Sequence, residues 1–134
     1  MPELEYAILC DYARVDAGIA HIIAANINRV AVPQIPAGQN FGLVIAIIFE
    51  RDEIGRDFPF KVSFHVASGS TLIEIDGQVT GPDPGDQPEE WPIRYVFVMP
   101  VGVILPQHGE YAFDIAIEGD VRKTLNLMVV PPGE

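Results

Sequence analysis

The sequence predicts an all-β domain, with two antiparallel sheets packed face to face as a β-sandwich of about eight strands. Three observations carry this expectation. Apolar and polar residues alternate with a period of two in several separate segments. Twelve Gly and twelve Pro in 134 residues punctuate the chain into short pieces. No interval between those pieces has the βαβ rhythm of a parallel sheet. The length suits a single domain over residues 1–134, and 49% hydrophobic residues supply one core.

The N-terminal third admits two readings. Leu4, Ile8, Tyr12, Val15, Ile19 and Ile22 approximate helical spacing, but Leu4, Tyr6, Ile8, Cys10 and Tyr12 also alternate, as do Ile19, His21, Ile23, Ala25 and Ile27. Val15-Asp16-Ala17-Gly18 between them has the chemistry of a hairpin connection, because Gly18 can take φ > 0. The hairpin is favoured over the helix.

After a loop marked by Pro33, Pro36 and Gly38, Phe41–Phe49 is apolar on both faces and rich in β-branched residues. It predicts a central strand covered on both sides, or covered on one side by a partner. Asp52 to Asp57 around Gly55 reads as a hairpin turn. Phe58, Phe60, Val62, Phe64 and Val66 then oppose Pro59, Lys61, Ser63, His65 and Ala67 in the cleanest strand of the chain. Ser68-Gly69-Ser70 turns it into a second strand, in which Ile73, Ile75 and Val79 oppose Glu74, Asp76 and Gln78.

Gly81 to Glu90 has no apolar anchor beyond its prolines and predicts an exposed, mobile loop. Trp91, Ile93, Tyr95, Phe97 and Met99 share the next face, and Pro92, with no N–H, places that strand at an edge. Tyr111, Phe113, Ile115 and Ile117, a turn at Glu118-Gly119-Asp120, and Leu125, Leu127 and Val129 complete the set. Pro131 to Glu134 ends the last strand as a fraying tail.

Eight Lys and Arg against nineteen Asp and Glu give a formal charge of −11. Such a surface repels nucleic acid and anionic membranes at long range. No apolar run approaches the roughly 20 residues of a spanning helix, and the acidic start Met1-Pro2-Glu3-Leu4-Glu5 is unlike an export signal, so cytoplasmic residence is expected. Cys10 is the one cysteine, which excludes an intrachain disulfide and assigns it to the core.

The opening Leu4–Ala13, the Gly18 turn, Ile22-Ile23 and the late Gly109-Glu110-Tyr111-Ala112-Phe113 resemble a family of small bacterial proteins of unknown function. That resemblance implies a β-sandwich and brings no activity. Gln107-His108-Gly109-Glu110-Tyr111-Ala112-Phe113 is also similar to the tyrosine corner of immunoglobulin-like sandwiches, which implies an immunoglobulin-like or related Greek-key topology and a structural hydroxyl on Tyr111.

No catalytic constellation emerges. His21, His65 and His108 lie on different segments without metal-ligand spacing. Ser68, Ser70 and Thr71 have turn chemistry but no nucleophile elbow. Gly38 to Gly42 lacks the lysine of a phosphate loop, so no cofactor is expected. The aromatic set Tyr12, Trp91, Tyr95 and Phe97 is assigned to the core rather than to a sugar or peptide groove. Calcium takes six to eight oxygens, and Asp52, Glu53 and Asp57 in one loop with Asp83 and Asp86 in another are its candidate ligands. The reading that follows is a non-enzymatic binding or assembly module, with a protein partner or a second copy on a sheet face or loops. The alternative is a calcium- or carbohydrate-binding sandwich using the acidic loops.

Overall fold

A computed structural model describes residues 1–133; Glu134, part of the expected fraying tail, lies outside the described residues. Among those residues there is no α-helix, and none is long and apolar enough to cross a membrane. The protein is all-β, with ten strands in three sheets rather than eight in two. They are β1 (Glu3–Cys10), β2 (Tyr12–Asp16), β3 (Ile19–Ile23), β4 (Arg29–Ala31), β5 (Ala37–Phe49), β6 (Asp57–Val66), β7 (Thr71–Thr80), β8 (Ile93–Leu105), β9 (Gly109–Ile117) and β10 (Asp120–Val130).

Two sheets form the sandwich, one ordered β1-β5-β8 and the other β4-β10-β9-β6-β7. All pairings are antiparallel except β4 against β10. Their facing sides close one core. Leu43, Ile45, Ile47, Phe64, Tyr111, Phe113, Ile115 and Leu127 are essentially without solvent contact. Rings interlock between the sheets: Phe41 meets Phe113 edge-on at 6.1 Å, and Phe60 meets Phe97 at 5.5 Å. The alternation that predicts β6, β7, β9 and β10 holds: each has one face on this core, and the other meets solvent in β6, β7 and β10 but is largely buried in β9, where Ala112 and Ala116 are covered.

The third sheet is the hairpin β2–β3, and it lies over the outside of the three-stranded sheet. Ala13, Val15, Ala20 and Ile22 are its half-buried row, while Tyr12, Arg14, His21 and Ile23 face out. This explains the doubly apolar Phe41–Phe49: Phe41, Leu43, Ile45 and Ile47 face the sandwich core, whereas Val44 and Ala46 are buried on the other side. The cover is a segment of the same chain. At Gly42 the approach is close enough that a Cβ would lie 3.0 Å from Cys10 Sγ and 3.5 Å from the Ala13 nitrogen.

Three expectations need correction. The N-terminal hairpin is shorter than the alternation suggests: β1 leaves it at Asp11 to pair with β5, and a bulge at Glu5 moves Tyr6, Ile8 and Cys10 to the outer face while Ala7 and Leu9 enter the core. Asp52–Asp57 is not a hairpin turn, because β5 and β6 belong to different sheets; a short 3-10 turn, Arg51–Glu53, carries the chain across. Of the aromatic set assigned to the core, only Phe97 is half-buried, and Tyr12, Trp91 and Tyr95 are exposed. The edge position implied by Pro92 holds, since β8 begins at Ile93 and ends its sheet.

Candidate functional site

The strand orders place β8 over β6, leaving β7 beyond it as an unpaired margin. Register fixes what that margin presents. The Glu118 N–H donates to Pro59 O at 2.9 Å and the Ala67 N–H to Glu110 O at 2.9 Å, so the odd residues of β6 bond toward β9. Its even residues therefore bond toward β7, using Ile73, Ile75, Gly77 and Val79. The backbone N–H and C=O groups of Glu74, Asp76, Gln78 and Thr80 point away from the sheet with no strand beside them among the described residues. β7 itself has no proline and no lysine to blunt this edge, and its charged side chains there are Glu74 and Asp76.

Beside it the sandwich is incompletely closed. Ile73 and Ile75 on β7, and Phe97 and Met99 on β8, reach the core yet remain half-exposed. Tyr95 stacks on Phe97 at 5.3 Å and is 40% exposed. An apolar seam thus runs between two strand edges. On the polar face of β7, Lys61 Nζ lies 3.5 Å from Glu74 and 3.7 Å from Asp76, offsetting the charge that would otherwise defend the edge.

The outer face of the five-stranded sheet carries a second polar cluster. His65 Nε2 lies 2.9 Å from Asp114 Oδ2, and Thr124 Oγ1 donates to Asp114 Oδ1 at 2.6 Å. The other ring nitrogen of His65 is 2.9 Å from the Val66 carbonyl. Both imidazole nitrogens are engaged, so neither faces a hydroxyl, although Ser63 stands opposite Asp114 in the ladder. A shallow groove of about 500 Å³ beside Ser63, Lys61, Gln78 and Asp114 contains no buried polar atom lacking a partner among the described residues. His108 is bound 3.0 Å from the Val32 carbonyl, and His21 is an exposed residue on the hairpin.

The acidic candidates do not form one set. Asp52 and Glu53 gather with Glu50, which the sequence reading did not single out. Glu53 is 2% exposed; it accepts the Glu50 N–H at 2.6 Å and lies 2.7 Å from the Met1 ammonium, whose pKa these carboxylates raise. Its role is local, closing the 3-10 turn, and the Glu-x-x-Glu spacing is the signal that could have shown it. Asp57 accepts Thr80 Oγ1 at 2.6 Å, Asp83 accepts the Gly85 N–H at 2.9 Å, and Asp86 is exposed. None of these three joins the Glu50 group among the described residues. Trp91 and Tyr95 border a cleft of about 480 Å³ against Val15 and Gly18, while Tyr12 lies apart beside Asn40 and Pro100.

Residues 5–130 match the model of a family of unknown function, DUF6941, and the chain belongs to that family. This agrees with the resemblance of its opening strand and its Gly109–Phe113 stretch to an uncharacterised family. No curated protein matches the chain.

Proposed function

We propose that this DUF6941 member is a non-enzymatic binding or assembly module whose working surface is the open side of the sandwich, where the β7 edge and the Ile73–Ile75–Phe97–Met99 seam lie together. The observation that carries the reading is the free backbone of Glu74, Asp76, Gln78 and Thr80 next to apolar side chains left half-covered. A polypeptide laid along β7 satisfies the first and covers the second, the recognition mode known as strand addition. The engaged imidazole of His65 supports a non-catalytic reading, since it presents no free base to a nucleophile.

We read the topology as immunoglobulin-like. Sheet orders β1-β5-β8 and β4-β10-β9-β6-β7, the parallel β4–β10 pair and the bond from Tyr111 Oη to Gln107 O support that reading; the hairpin β2–β3 is an addition to it. Amide hydrogen exchange tests the proposed surface. In dilute protein the amides of Glu74, Asp76 and Gln78 should exchange fast while those of Ile75 and Gly77 are protected. Equal protection of both sets in the isolated chain would remove the reading.

A further inference from the structure

We propose that the polypeptide received by β7 is β7 of a second copy, joined antiparallel about a twofold axis at Gly77; this rests on the strand-addition reading above. A twofold axis perpendicular to the sheet keeps inward residues beside inward residues, so only a few registers are possible. Centred on Ile75, Glu74 would stand opposite Asp76 of the second copy twice. Centred on Asp76, two Asp76 side chains would meet, and centred on Glu74, two Glu74 would meet. Like charges directly opposite one another destabilise a sheet pair.

Centred on Gly77, Asp76 stands opposite Gln78 of the second copy and Glu74 opposite Thr80. Asp76 then faces a neutral hydrogen-bond donor, and Glu74 faces Thr80, a neutral residue whose hydroxyl donates to Asp57 of its own chain. These four residues are the ones whose backbone groups point outward, so each such pair exchanges both of its ladder bonds. A centre at Gln78 also avoids opposed carboxylates but leaves Glu74 and Ile75 without partners in β7 of the second copy. On the inward face the Gly77 centre sets Ile75 beside Val79 of the second copy and covers half-exposed Ile75. The two chains come closest at Gly77 itself, where a Cβ would meet nothing within 4 Å and none is present. Lys61, bound to Glu74 and Asp76, reduces the mutual repulsion expected of two chains of charge −11.

Light scattering and sedimentation from nanomolar to high micromolar protein test this. The expected result is a mass rising to twice 14.7 kDa, with protection of the Glu74, Asp76 and Gln78 amides growing in step. Gln78→Lys should tighten the dimer by about tenfold through two new pairs with Asp76, and Gln78→Glu should loosen it by about as much. Gln34→Lys, the same charge change on an exposed loop away from β7, should do neither. A monomer throughout the range overturns the proposal. So does a dimer whose affinity responds alike to Gln78→Lys, Gln78→Glu and Gln34→Lys. In either case fast exchange along the β7 edge leaves the broader strand-addition reading standing, whereas protection at the lowest concentration removes both.

Discussion

Gly81 packs its Cα directly against the carbonyl of Glu53: a Cβ at position 81 would overlap that oxygen and crowd the Ile54 backbone. The contact joins the loop after β7 to the 3-10 turn before β6, and two backbone bonds flank it, Gly55 N–H to Gly81 O at 2.8 Å and Gly81 N–H to Arg56 O at 3.0 Å. Gly81→Ala should therefore cost about 1–3 kcal/mol, the range for overpacking against atoms that cannot step aside. Urea denaturation checks it. Gly38→Ala, whose Cβ would meet only Ile104 at 4.0 Å, should change stability by less than about 1 kcal/mol.

Tyr111 is buried, and its hydroxyl donates to the Gln107 carbonyl while accepting the Gln107 N–H at 3.2 Å. Tyr111→Phe keeps the ring stacked on Phe64 at 5.3 Å and removes the hydroxyl alone. A loss of about 0.5–1.5 kcal/mol is expected from the broken bonds. Tyr111→Leu, which also loses the stack, should cost more in the same denaturation series.

Glu5 occupies the β1 bulge and reaches across β5 to Arg94, whose Nη2 is 2.7 Å from Glu5 Oε2. The guanidinium holds the Glu5 carboxyl below the usual carboxylate range. A lowered folded-state pKa means that this stabilisation is present above the ordinary glutamate pKa and is lost as pH falls through the lowered value. The pair is partly exposed, so its contribution is a few tenths to about 1 kcal/mol. Glu5→Gln should lower stability by that amount at neutral pH and should match the parent protein at strongly acidic pH.

Cys10 lies under the hairpin β2–β3, with its thiol donating to Gly42 O at 3.3 Å and its pKa pushed up by burial. A thiol reagent at neutral pH should label it slowly in the native protein, at a rate set by how often the hairpin lifts. Ile22→Ala, which trims the side of the hairpin facing the sheet, should speed labelling by about tenfold. Labelling at the unfolded rate in the native state would contradict the covered position of Cys10.

The legible part of this fold is the part built from one-sided strands. Phe58–Val66 shows its inner face in the sequence because its outer face meets water, and Tyr111–Ile117 does so because Ala112, Asp114 and Ala116 alternate with its large apolar residues. At Phe41–Phe49 both faces are dry, so the pattern reveals coverage but not its source. The bulge at Glu5 was illegible for a related reason: one inserted residue inverts every later side chain while leaving the alternation unbroken. The open edge of β7 depends on which strand pairs with which, a non-local property that periodicity does not carry. The acidic loop residues were visible, but their dispersal over separate hydrogen bonds with Glu50, Thr80 and Gly85 depends on the crossover between sheets.

The placement of β2–β3 ahead of β5 in the chain has a consequence during synthesis. A tight hairpin closes from neighbouring residues alone, so it can form on the ribosome before the greasiest strand of the protein leaves the exit tunnel. When Phe41–Phe49 emerges, the segment that covers its outer face has already left the tunnel and is tethered nearby, whereas the sandwich side must wait for the remaining half of the polypeptide.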